Sequence, residues 1–157
     1  MKKILMSVMR ISILLLFGLA GAMLSCSTAP TRDGKIEPYI NKFIEDMGFE
    51  KNRVKDYTVK FETLEWLGSR VIGRCNPFTN VVSIDPGYWY GLFRSEKSKT
   101  ALVHHELGHC ICGIYTHVDD VMPDKCPVSI MNTSIPSNVC LQRHWDHYVE
   151  DLFQRCD

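Results

Sequence analysis

No C-x-x-C pair occurs anywhere in the 157-residue sequence, although it holds seven cysteines. Zinc–thiolate clusters are usually built from such pairs, so their absence argues against a cysteine metal cluster. An excess of one charge is missing too: 18 Lys and Arg face 18 Asp and Glu. With no basic patch, a nucleic-acid partner is not expected. There is no internal repeat and no low-complexity tract. Nor is there an uncharged apolar run of the ~20 residues that a membrane-spanning helix needs.

The best apolar run, Ile11 to Ala22, is short and follows Lys2, Lys3 and Arg10. A positive segment before a short apolar core reads as an export signal. It leads into "MLSC", which resembles a bacterial lipobox with Met23 where leucine is usual. On that reading residues 1–25 are a signal peptide and Cys26 is the lipidated first residue of the mature chain. An ordinary cleaved signal or an uncleaved anchor is the alternative. Residues 26–35 then form a polar tether, and 36–157 one domain with room for a single core. The expected location is the bacterial cell envelope, on the periplasmic or surface side of the outer membrane, through a lipid anchor.

Six cysteines remain: Cys75, Cys110, Cys112, Cys126, Cys140 and Cys156. An even number in a small exported domain predicts a disulfide framework. Cys110 and Cys112 are too close along a helix end to pair together. Cys140 and Cys156 flank a predicted helix of about 24 Å rise, beyond a disulfide's reach. Cys110 and Cys112 are therefore expected to tie their helix to other segments, with Cys126 as one partner.

Periodicity divides the domain into an α+β order. Ile36, Tyr39, Ile40, Phe43, Ile44 and Met47 recur at helical spacing, and Gly48 marks a stop. "YTVKFETLEW" (57–66) alternates as a strand. "RVIGRC" and "NVVSID" flank the turn-forming "NPFT" and predict a hairpin. "PGYWYGLF" fits either a loop or a short helical turn. Ser95 offers an N-cap to a helix ending at Gly113. Three prolines make 114–138 irregular. "LQRHWDHYVEDLFQRC" (141–156) reads as a terminal helix, with Leu141, Trp145, Tyr148, Val149 and Leu152 on one face. His144 and His147 fit exposed polar positions there better than a second metal site.

Within the Ser95 helix, His105, Glu106 and His109 spell H-E-x-x-H. Residues four apart lie about 40° apart around a helix, so both imidazoles can reach one zinc ion. The intervening glutamate can contact the activated water without binding the metal, acting as general base and then acid. His104 points away from that face and reads as a packed or solvated residue. Catalytic zinc usually takes three protein ligands, so this motif supplies part of a site.

The stretches "HELGHCICGIYTH" (105–117) and "SIMN" (129–132) resemble the metzincin metallopeptidases. That resemblance implies a zinc endopeptidase acting on peptide or protein substrates as a monomer. It implies one Zn2+ held by His105, His109 and His117, Glu106 as the catalytic base, and Met131 as the turn methionine beneath the metal. It implies a twisted mixed sheet packed on an N-terminal helix and the zinc helix, with "NVVSID" as the edge strand that pairs with substrate. The spacing departs from H-E-x-x-H-x-x-G-x-x-H: Gly113 comes one residue late and His117 two. Asp119, Asp120 or Glu150 are the alternative third ligands, Glu150 by a gluzincin-like arrangement. A zinc-binding surface lipoprotein without activity is a further alternative. No tyrosine follows Met131 at the spacing some metzincins use. No pro-segment is evident before the first helix.

Overall fold

A computed structural model describes residues 30–66 and 69–156; the segment expected to be a signal peptide, and Cys26, lie outside the described residues. Among the described residues, no helix is long and apolar enough to cross a membrane. The fold is α+β, with a mixed three-stranded sheet packed on helices.

Helix α1 (Glu37–Asp46) presents the predicted stripe, with Ile36, Ile40, Phe43, Ile44 and Met47 in the core. Gly48 ends it in the left-handed region at φ 61°. Phe49 N–H then returns to the Ile44 carbonyl and Gly48 N–H to that of Glu45, the paired bonds of a glycine-terminated helix. A 3-10 turn at Lys51–Val54 leads into strand β1 (Thr58–Phe61). Residues 31–33, assigned to the tether by composition, pair with β1: Asp33 N–H donates to the Val59 carbonyl, and Val59 N–H to that of Thr31. Ordered structure therefore begins before Ile36.

The predicted strand at 57–66 does not run through. β1 stops at Phe61, and Leu64 N–H is captured by the buried Asp85 carboxylate at 3.2 Å. Strands β2 (Glu65–Trp66) and β3 (Ser69–Arg70) form a separate antiparallel ribbon. Strand β4 (Gly73–Asn76) and strand β5 (Val81–Ile84) make the predicted hairpin, with Asn80 at φ 53° in its turn. β5 also pairs in parallel with β1, so the order is β1–β5–β4. This corrects one expectation: "NVVSID" is the central strand, and β4 is an edge. Val82, Ser83 and Ile84 are all buried, which suits a strand covered on both faces rather than one at an edge.

Asp85 caps the short helix α2 (Pro86–Trp89), which lays Tyr88 and Trp89 over the core. Helix α3 (Glu96–Ile111) starts at the predicted Ser95 cap, whose hydroxyl accepts from Ser98 N–H at 3.1 Å. Residues 101–108 are buried without interruption, because α1, the sheet and α4 surround this helix. His104 is fully buried on the side away from His105. Its Nδ1–H donates to the Thr100 carbonyl at 2.9 Å, and Nε2 meets Asp46 at 3.1 Å. Helix α4 (Asn138–Gln154) is capped by Ser137, kinks at His144, and buries Leu141, Tyr148 and Leu152.

All six domain cysteines are paired: Cys75–Cys110, Cys112–Cys156 and Cys126–Cys140. Both excluded pairings are absent, and Cys110 and Cys112 do tie α3 to other segments. The expectation for Cys126 fails. The chain from Cys126 runs back to the start of α4, so Cys140 comes within a Cα separation of 5.5 Å. Three disulfides indicate an oxidising compartment, and each such cross-link contributes on the order of 3 kcal/mol.

Candidate metal centre

α3 places His105 and His109 one turn apart on the side facing a cleft. Their Nε2 atoms are 3.0 Å apart, and His117 Nε2 lies 3.3 Å from that of His105. The three ligand atoms all lie within 4.8 Å of one another. His105 Nδ1 is 2.9 Å from the Ile130 carbonyl, and His109 Nδ1 contacts the Ile114 carbonyl. A carbonyl only accepts, so both Nδ1 atoms carry the proton and both Nε2 atoms present lone pairs. Burial, the largest cause, holds the His105 imidazole down to about 4, and it lowers His109 as well. Neutral imidazoles with fixed tautomers and converging lone pairs repel one another unless a cation lies between them. Two nitrogens each about 2.05 Å from a tetrahedral zinc stand about 3.3 Å apart, which these separations match. The donor set fits zinc.

The late histidine reaches the cluster because its loop is strapped down. Gly113 takes φ 66° and turns the chain out of α3. Val118 N–H then donates to the Met131 carbonyl at 2.9 Å. Asn132 Nδ2 donates to the Val118 carbonyl at 3.0 Å, and Asp119 accepts from both Thr133 N–H and its hydroxyl. Asp119 is thus committed to the strap. Glu150 is exposed on α4, where Gln154 donates to it at 2.7 Å. Neither it nor Asp120 belongs to the metal-competent group of His105, His109 and His117.

Met131 is fully buried beneath the helix that carries the histidines. A Cβ added to Gly108 would stand 2.8 Å from Met131 Sδ, so this glycine lets the sulfur approach the α3 backbone. Ser129 builds the turn: its hydroxyl accepts from Met131 N–H at 3.0 Å and donates to Asp151 at 2.5 Å. "SIM" contains that residue, but nothing in the spacing marks its role. His144 pairs with Asp124 at 2.8 Å, and His147 donates to the Val128 carbonyl. A second cluster, Asp124, Cys126 and His144, includes a disulfide sulfur and is no metal site.

Glu106 is 4% exposed and lies against β4. Burial pushes its carboxyl up to about 8, partly offset by a hydrogen bond from Cys75 N–H. The bond from Asp85 N–H to the Ile72 carbonyl fixes the ladder's phase, so Gly73 and Cys75 turn their backbone groups to the free edge. A Cβ at Gly73 would come within 2.4 Å of Glu106 Oε1. Sequence reasoning missed Gly73, a glycine required only by a contact 33 positions later. Gly73→Ala is expected to push the carboxylate aside. Any hydrolysis that draws on this carboxylate should fall by about tenfold to a hundredfold with metal content unchanged, since a 1 Å misplacement costs about that much. Elemental analysis beside steady-state rates checks it.

The cleft holds about 500 Å3, with β4 residues 73–75 on one wall and Tyr115, His117, Thr133 and Ile135 on the other. Fold and site together define an α+β domain with a three-histidine centre able to hold a metal ion. No family model matches this chain, and no curated protein is similar to it. Among solved structures it is similar to the metallopeptidase zymogen of Pyrococcus abyssi abylysin. The TM-score is 0.42 and the identity 14%, over 76% of this chain and 90% of that one. That likeness is too slight to transfer an activity, and the histidine geometry stands without it.

Proposed function

We propose that this chain is a zinc-dependent endopeptidase of minimal metzincin-like type, exported and held in the cell envelope through a lipid on Cys26. The observation that carries the reading is the convergence of three imidazole lone pairs beside a buried glutamate at an open cleft. His105, His109 and His117 would hold the ion, with Met131 as the apolar floor beneath it. Zinc held there supplies Lewis acidity for water activation and carbonyl polarisation. Glu106 takes the proton from the attacking water at a carboxylate oxygen and delivers it to the leaving amine. The Gly73 backbone groups and the Cys75 carbonyl face the free edge, with Cys75 N–H kept by Glu106, and would pair with an extended peptide added to the sheet as a further strand. The three disulfides support an exported location.

The purified mature chain is expected to carry about one zinc and to cut an unfolded protein. A chelator should abolish both properties, and added zinc should restore them. A folded, zinc-loaded chain that cleaves no member of a broad peptide library would overturn the proposal.

A further inference from the structure

We infer that the cleft continues past the metal centre into a carboxylate-binding subsite organised by Arg94, so that the favoured substrates carry a carboxylate downstream of the scissile bond. The inference rests on the peptidase reading and adds the chemical class of its substrate.

A second cavity of about 350 Å3 shares Ile72, Thr133 and Ile135 with the metal cleft, so the two adjoin along those residues. Arg94 is the one charged residue that lines it, and no carboxylate does. Arg94 is exposed, and its side chain lies along Tyr88 while its backbone closes the turn. Its Cζ lies 4.1 Å from the centroid of the buried Tyr88 ring, and Arg94 N–H donates to the Gly91 carbonyl at 3.1 Å. Among the described residues no acidic group pairs with it. Glu96, two residues on, is engaged with Lys99 and Tyr39, and Asp119 with Thr133. The same guanidinium also lies within hydrogen-bonding reach of the Tyr88 side chain, and an arginine laid on an aromatic ring with no carboxylate partner keeps N–H donors of its planar fork for bidentate carboxylate recognition.

The remaining walls agree with that sign. Ser98 and Asn138 come from the first turns of α3 and α4, whose N-terminal dipole ends favour negative charge. Asn138 Oδ1 is occupied by the hydroxyls of Ser95 and Ser98, which leaves its amide N–H groups as donors.

Direction follows from the edge strand. β4 runs from Gly73 to Asn76, with Ile72 just before it at the Arg94 end of the cleft. A peptide added antiparallel to β4 therefore runs toward Ile72, and its residues after the scissile bond meet Arg94. The carboxylate could be an acidic side chain or the peptide's own C-terminus.

Two peptide arms separate those sources. One compares Glu with Gln and Lys just after the scissile bond, with amidated C-termini. The other compares a free acid with an amide on an otherwise neutral peptide. The wild-type chain is expected to prefer the carboxylate about tenfold in kcat/KM in at least one arm, which identifies the source. In Arg94→Gln the ratio of carboxylate to neutral substrate should fall to about one, and in Arg94→Glu a Lys peptide should overtake the Glu peptide. Cleavage of neutral peptides with no carboxylate preference in either arm would overturn the subsite and leave the peptidase reading intact. If no peptide is cleaved, the peptidase reading fails. The subsite is then judged by fluorescence anisotropy of a labelled Glu peptide, whose failure to bind more tightly than the Gln peptide would overturn it too.

Discussion

Glu106→Gln is expected to keep about one zinc per chain and to lower kcat/KM by about 10²- to 10⁴-fold, the usual worth of a positioned general base. The substitution is nearly isosteric. The amide oxygen can still accept from Cys75 N–H, and the side chain still packs against Gly73. What disappears is the ability to take a proton from water and return it to a departing amine. Because Glu106 is not one of the three residues whose ligand atoms converge, metal content should not follow activity down. Elemental analysis and peptide kinetics on the same preparation make the test. Unchanged hydrolysis would remove Glu106 from the chemistry. Loss of zinc along with activity would mean that the carboxylate holds the metal, contrary to the roles assigned. The result also separates an enzyme from a zinc-binding surface protein, since a structural site is normally closed by four protein ligands and has no use for a base.

What could be read from the residues depends on how local each cause is. The α1 stripe, the Gly48 stop and the Ser95 cap are fixed by contacts within one helix, and all three are found where periodicity and capping chemistry put them. The pair His105 and His109 is local for the same reason: one turn of helix sets its geometry. Strand order is not local. The hairpin of β4 and β5 is visible in the turn residues, yet which strand lies outside depends on β1 pairing with β5, its partners 23 residues away. Val82, Ser83 and Ile84 are all buried in the fold, but the polar Ser83 breaks the apolar run by which a central strand is read from sequence. The break at Phe61 is set by Asp85 reaching back to Leu64, which alternation cannot reveal. Cys126 was assigned to the wrong partner for a related cause, since the path of an irregular loop has no period. Gly73 and Arg94 carry no motif at all, and each acquires its meaning from a neighbour distant in sequence.

Among the candidate third ligands, His117→Ala is the substitution expected to affect metal binding most. Zinc binding to fully liganded protein sites is worth about 10–16 kcal/mol, or about 3 kcal/mol per ligand, so losing one should weaken affinity by at least about a hundredfold. His117 is exposed, and its loop is held by backbone and side-chain bonds that do not use the imidazole. The variant should therefore fold with all three disulfides and an unchanged metal-free melting temperature, which distinguishes loss of a ligand from loss of structure. Asp119→Ala acts differently: it frees the Thr133 end of the strap and leaves the third nitrogen in place. Its cost in zinc affinity should be smaller than that of His117→Ala, because the exposed strap bonds it removes are partly replaced by water. Glu150→Ala removes only an exposed contact with Gln154 and should leave zinc affinity unchanged. Competition titration against a chromogenic chelator ranks the three variants directly. If Glu150→Ala lost the metal and His117→Ala kept it, the third ligand would be a carboxylate from α4 and the gluzincin-like alternative would replace the three-histidine site. The observed strap argues for the other order. Two extra residues after α3 would let an untethered loop swing His117 away, whereas bonds to Met131, Asn132 and Thr133 hold it over the pair on the helix.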